Sequence, residues 1–210
     1  MNKTMLAIGT IIIVAGSTLA EAGQGTYVGL NLGAAIPNDS DVTESVYGYD
    51  VSYSVEAGTG FAAGATVGYV FANNFRVEGE FAYQKNDLDK IKVLGFNLNA
   101  NGDIESLGLL LNGYYEYVDK SGIILNIGGG IGFMNVAAND FNIEGSGVSN
   151  VDDDDTVFAY QAGVGIGYAI NAKLAIDLKY RYMGTDNPNF GGAEVEYSTN
   201  NIYAGIRFGF

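Results

Sequence analysis

The sequence predicts an all-β fold, an eight-stranded antiparallel up-and-down β-barrel that crosses a membrane. Three observations predict it. Apolar residues recur at every second position in eight segments, the period of a strand with two unlike faces. The connections between those segments alternate strictly between short turns and long polar stretches, as they do when one end of a barrel faces the periplasm and the other the outside. After the N-terminus no run approaches the roughly 20 apolar residues of a membrane helix, so this chain can cross a membrane only as strands.

The N-terminus reads Met1-Asn2-Lys3, an apolar stretch from Met5 to Ala15, and small residues ending in Ala20-Glu21-Ala22. One positive charge, a short apolar core and an A-x-A site make residues 1–22 a signal peptide cleaved before Gly23. Residues 23–210 are then the barrel domain, placed outside the cytoplasm.

The first strand is "TYVGLNLGAAI", with Val28, Leu30, Leu32, Ala34 and Ile36 on one face. After a polar stretch from Pro37 to Gly58 comes "GFAAGATVGYVF", where Phe61, Ala63, Ala65, Val67, Tyr69 and Phe71 oppose Gly64, Thr66 and Gly68. Only "ANN" separates it from "FRVEGEFAYQ", so these two form a hairpin. In the latter, Phe75, Val77, Phe81 and Tyr83 oppose Arg76, Glu78, Glu80 and Ala82.

A second polar segment, Asn86 to Asp103, leads to "SLGLLLNGYYEYV", and the turn "DKSG" to "IILNIGGGIGFMN". A third, Ala137 to Asp155, leads to "TVFAYQAGVGIGYAI", and the turn "NAK" to "LAIDLKYRYM". A fourth, around "TDNPNFGGAE", leads to "NNIYAGIRFGF". In this last strand Ile202, Ile206, Phe208 and Phe210 face one way, Tyr203 and Arg207 the other. A barrel leaves no edge in lipid only if its last strand pairs with its first, which gives the aromatic C-terminus its place.

If the aliphatic face meets lipid, the other face lines the interior. The charges on it are Arg76, Glu78, Glu80, Glu116, Asp177, Lys179, Arg181 and Arg207. Four acids and four bases sum to zero, as a closed, paired network requires; an ion channel would carry one sign in excess. Eight strands enclose a lumen that side chains can fill. The glycines on the inward face leave room for large neighbours such as Tyr114, Arg181 and Arg207 to lie across it, or for a thin wet path.

The formal net charge of −14 therefore belongs to the long connections. Asp39, Asp41, Glu44, Asp50 and Glu56 lie in the first, Asp140, Glu144 and Asp152–Asp155 in the third, and Asp186, Glu194 and Glu196 in the fourth. An acidic exterior disfavours nucleic acid as a partner. The tetrad Asp152, Asp153, Asp154 and Asp155 has the carboxylates a hard cation wants, but not the alternate spacing and turn glycine of a calcium loop. A solvated acidic segment is the plainer reading, and neither a metal nor another cofactor is expected.

There are no cysteines and no histidines. That removes disulfide staples and every histidine-based triad, metal site or proton shuttle. The strings "GGGIG" and "GVGIG" lie inside alternating strands and lack the helix and Lys-Ser/Thr of a phosphate loop. Catalysis is not expected.

"GTYVGLNLGAA", "FAYQAGVGIGYAINAKLAIDLKYRYMG" and "NNIYAGIRFGF" resemble the outer-membrane β-barrel proteins of the opacity and surface-antigen group, related to the OmpA-like transmembrane domain. The resemblance covers essentially the whole mature chain. It implies the outer membrane of a Gram-negative bacterium, contact with lipid and lipopolysaccharide, and a monomeric barrel. It also implies a C-terminal signal read by the outer-membrane assembly machinery, carried here by Tyr203, Ile206, Phe208 and Phe210. Members of the group include structural barrels, adhesins, surface antigens and weak porins, so a structural or interaction role through the acidic loops, toward a host or environmental ligand, is the leading expectation. A narrow path for small solutes is the alternative.

Overall fold

The computed structural model describes residues 24–38, 40–46, 49–93, 96–143, 151–190 and 193–210; the expected signal peptide lies outside them. Twelve strands follow one another in the order β1 (Gly25–Pro37), β2 (Ser40–Val46), β3 (Tyr49–Ala57), β4 (Gly60–Val70), β5 (Phe75–Val93), β6 (Phe96–Val118), β7 (Ile123–Ile143), β8 (Val151–Ala169), β9 (Leu174–Thr185), β10 (Asn189–Phe190), β11 (Ala193–Val195) and β12 (Ser198–Gly209). Eight of them, β1, β4–β9 and β12, close into one antiparallel barrel. The seam joins the two ends of the chain: β12 pairs with β1 from Tyr27↔Gly209 to Pro37↔Thr199, and Phe210 N donates to Thr26 O at 3.0 Å. No backbone edge is left to face lipid.

Each short turn is fixed by the side chain of its first polar residue. Asn73 Oδ1 accepts from Phe75 N at 3.3 Å, and Asn171 Oδ1 accepts from Lys173 N and Leu174 N at 2.9 and 3.0 Å. Asp119 Oδ1 accepts from Ser121 N, Ser121 Oγ and Ile123 N at 2.8, 2.6 and 3.1 Å. These Asx contacts occupy backbone donors that the ladder cannot reach. Two turns also need a left-handed residue, supplied by Asn74 (φ 64) and Gly122 (φ 89).

The outward face is apolar and bare, with Leu109 67%, Phe133 64%, Leu30 62% and Ile127 61% exposed. A continuous surface of that kind is not compatible with water, and it identifies the lipid contact.

The long polar connections are more ordered than their composition suggests. β5 and β6 continue as a hairpin up to Val93↔Phe96, and β7 and β8 continue to Phe141↔Val151. The first connection supplies β2 and β3, which pair with each other and then with the outer part of β5. From the fourth connection, β11 pairs with β2 and β10 with β11. Above the barrel, β3, β2, β11 and β10 thus take over the flank that β4, β1, β12 and β9 occupy within it. Polar residues hold strand geometry here because hairpin partners satisfy their backbone groups whatever the side chains are.

Candidate functional site: the barrel lumen

Strand alternation delivers every second side chain to the lumen, and the antiparallel register sorts those side chains into layers. Nearest the short turns lie Tyr27 on β1, Arg76 and Glu78 on β5, Tyr114 and Glu116 on β6, Asp177 on β9 and Arg207 on β12. Arg76 is completely buried. Its Nη1 lies 3.3 Å from Glu78 Oε2 and its Nε 3.2 Å from Glu116 Oε1. Arg207 reaches the same Glu116 oxygen at 2.8 Å and grips Asp177 with two bonds of 2.7 and 3.0 Å. Tyr27 donates its hydroxyl proton to Glu78 and accepts from Arg76 Nη1 at 3.2 Å. The Arg76 guanidinium also stacks 4.2 Å from the Tyr114 ring centroid.

The middle layer is built around Glu80. Arg181 Nη1 lies 2.6 Å from Glu80 Oε1, and Arg181 Nη2 donates to Tyr203 Oη at 2.5 Å. The other carboxylate oxygen accepts from Asn112 Nδ2 at 2.8 Å and Gln161 Nε2 at 3.1 Å, and Gln161 also donates to Asn112 Oδ1. Asn112 Nδ2 lies 3.4 Å from Glu78 Oε1, which joins the two layers.

The structure therefore gathers all eight interior charges in one lumen. Seven of them form ion pairs; Lys179, among the described residues, forms none and donates only to Asn31 Oδ1 at 3.4 Å. Glycines on adjacent strands let these side chains lie flat against the wall. A Cβ on Gly68 would strike the Tyr27 ring, one on Gly130 would strike Asn112, and one on Gly167 would come within 2.6 Å of Asp177 Oδ1.

Above the charged layers the lumen changes character. Ala82, Leu110, Met134, Val136, Val157, Ala159, Met183 and Tyr197 form a buried apolar cluster, and Ile104 and Phe190 pack onto it. Gln84 bridges its edge, donating to Met183 Sδ at 3.2 Å and accepting from Thr199 Oγ1 at 3.1 Å. The strand alternation marks out the charged part of the interior, and this cluster adds an apolar part to it. Its signal was present in the inward phase of the same alternation, at Leu110, Met134, Val157 and Met183, where the apolar residues on both faces mask the period.

The remaining sequence candidates lie elsewhere. Of the aromatic C-terminal set, Tyr203 points into the lumen, 2% exposed, whereas Ile206, Phe208 and Phe210 face lipid, 46%, 46% and 57% exposed. The Phe208 and Phe210 rings meet edge-on at 5.5 Å. Asp153, Asp154 and Asp155 lie in β8, where consecutive side chains point to opposite faces; the side chain of Asp152 is outside the described residues. Asp154 Oδ2 accepts from Asn135 Nδ2 at 2.8 Å and Asp155 Oδ2 from Asn189 N at 3.0 Å. No grouping of three or more metal-ligating side chains occurs among the described residues.

A closed barrel with an apolar belt, short turns at one end and long hairpins at the other agrees with what the sequence resembles in known proteins. The outer membrane protein beta-barrel domain profile matches residues 6–210. The chain belongs to that family. It is a protein of the Gram-negative outer membrane. Outer membrane protein PagN of Salmonella typhimurium is 21% identical, with 95% of each chain covered. RC1281 of Rickettsia conorii, proposed by its name to be an adhesin, is 25% identical over 87% of this chain and 81% of its own. Among solved structures, Neisserial surface protein A superposes with a TM-score of 0.57 at 17% identity, covering 89% of this chain and 97% of the other, a likeness of fold.

Proposed function

We propose that this barrel is a surface protein whose extracellular sheet and loops meet a ligand outside the cell, as an adhesin or surface antigen, while its lumen does not conduct. The observation that carries the reading is the apolar cluster of Leu110, Met134, Val136, Val157, Met183 and Tyr197 across the upper lumen. It stacks on charges of which seven are paired with one another, and an ion would have to shed its hydration to pass both layers. The strand-supported extracellular ring is the part of the molecule left to act, and the adhesin name of RC1281 points the same way.

In this reading the barrel is a monomer in lipid and lipopolysaccharide, inserted by the outer-membrane assembly machinery, with no cofactor and no nucleic acid partner. Catalysis has no part in this reading, and histidine- and cysteine-based mechanisms are not open to the chain. Two measurements on the same preparation test it. Purified protein in planar bilayers should give no stable single-channel steps, and cells displaying it should gain attachment to a host or environmental surface that is lost when the β2–β3 hairpin is replaced by a short turn. Regular conductance steps without any such attachment would establish the narrow solute channel instead.

A further inference from the structure

Lys179 is the cation that the ion pairs leave over. The lower layer holds Arg76 and Arg207 against Glu78, Glu116 and Asp177, and so carries one negative charge in excess, while Arg181 balances Glu80. Lys179 restores neutrality, yet no carboxylate lies within ion-pair distance of it among the described residues, and its one protein bond is the 3.4 Å contact to Asn31. The ammonium is half-buried in the lumen, and one long hydrogen bond leaves the rest of its three donors to be met by something other than protein.

Beside it is a cavity of about 20 Å³, lined among others by Glu78, Glu80, Asn126, Gln161, Lys179 and Arg181. Asn126 and Gln161 are 6% and 5% exposed, and Asn126 Nδ2, Gln161 Oε1 and Arg181 Nε have no protein partner. The lining therefore offers donors and acceptors together. An anion placed there would lie against two carboxylates, and a metal cation would lie against Lys179 and Arg181. A neutral molecule that both donates and accepts fits, and one water needs roughly 10–15 Å³ and two to four polar partners.

We propose that this cavity is a binding site for a water molecule, held by Lys179, Asn126 and Gln161, which links the Lys179 ammonium to the Glu78 and Glu80 carboxylates as a water-mediated ion pair. A bridging water is nearly as favourable as a direct hydrogen bond. The eighth interior charge is then satisfied without a carboxylate of its own. The proposal rests on the closed lumen of the preceding reading, and the two fail differently: single-channel steps overturn the closed lumen, whereas the water site is judged by local density.

The experiment is a crystal structure of the full chain in detergent, grown with sodium bromide and resolved well enough to place solvent. A solvent oxygen within about 3.2 Å of Lys179 Nζ and of Asn126 or Gln161, with no anomalous bromine signal, is the expected result. A bromine peak at Lys179, or Lys179 turned into direct contact with Glu78 or Glu80 with no solvent beside it, would overturn it. In Lys179→Met the same solvent peak should vanish; its persistence would show that the lysine does not hold it. Should that variant not fold, Asn126→Leu, which fills the cavity, reads the same site with the same two outcomes.

Discussion

Arg181 on β9 and Glu80 on β5 meet across the lumen at 2.6 Å, from strands on opposite sides of the ring. Both side chains are buried, 8% and 3% exposed. Removing one partner leaves a buried charge without its counterion, a loss of about 3–5 kcal/mol. Glu80→Leu and Arg181→Met should each lower the unfolding free energy by that order, read from urea unfolding followed by the gel shift between folded and heated barrel. The double variant should lose less than either single one. A double variant as unstable as the sum would show that the pair contributes independently of mutual compensation.

The apolar cluster sets a different expectation. Met134 and Met183 are fully buried within it. Met→Ala at either position should cost about 2–5 kcal/mol through the cavity it leaves, again read in urea. Each change leaves the other residues of the cluster and every ion pair in place, so neither alone should produce conductance in planar bilayers. Channels opened by Met183→Ala alone would mean that the apolar layer, and not the charges beneath it, is what closes the lumen.

Two glycines separate the barrel's faces. A Cβ at Gly130 would collide with Asn112 Oδ1 and stand 2.8 Å from the Leu111 carbonyl oxygen, whereas one at Gly79 meets only Val67 Cγ1, at 4.0 Å. Gly130→Ala should therefore destabilise the barrel by about 1–3 kcal/mol. Gly79→Ala should be neutral or stabilise by up to about 1 kcal/mol, since alanine loses less entropy on folding. Equal effects at the two sites would contradict this packing of the wall.

Phe210 N bonds to Thr26 O at 3.0 Å, and its ring lies in the lipid-facing row. Deleting Phe210 removes one seam contact and no lumen contact. Refolding in detergent should stay close to wild type, while the amount of folded protein in the outer membrane of cells should fall several-fold, as expected of a signal read during assembly. Normal insertion in cells would exclude that role.

The turn at Asp119 lies outside the membrane and makes its own pH prediction. The Ser121 side chain, followed by the backbone N–H groups of Ile123, Ser121 and Gly122, holds the Asp119 carboxyl below the ordinary aspartate range. A carboxyl whose folded pKa is depressed contributes stability that is present above its unfolded pKa, about 3.9, and is lost as pH falls through the folded value. The turn should thus be unaffected from neutral pH down to about 4 and loosen only below it. A carbon-13 titration of Asp119 with a midpoint at or above the ordinary aspartate value would contradict this.

The barrel itself could be read from the sequence because lipid and lumen impose opposite demands on alternate residues, as Phe81 and Glu80 illustrate. The identity of the lumen charges followed from the same alternation. Their partners did not: Glu116 serves both Arg76 and Arg207, a choice set by the tilt and stagger of strands β5, β6 and β12 that no local pattern encodes. Leu110 and Met183 carry no distinguishing local signal, because a residue buried against other side chains and one facing lipid are equally apolar. The pairing of β11 with β2 was hidden for a further reason, since the two segments are remote in sequence and only the closed ring brings them together.

That pairing bears on how the exposed surface can change over generations. Val195 sits opposite Val42, and Glu194 opposite Thr43, so the first and fourth external segments share one ladder. A substitution that weakens either strand alters the presentation of both, so changes should be tolerated best at hairpin tips while these paired residues change together. An antibody raised against one segment would then recognise a shape that the other maintains.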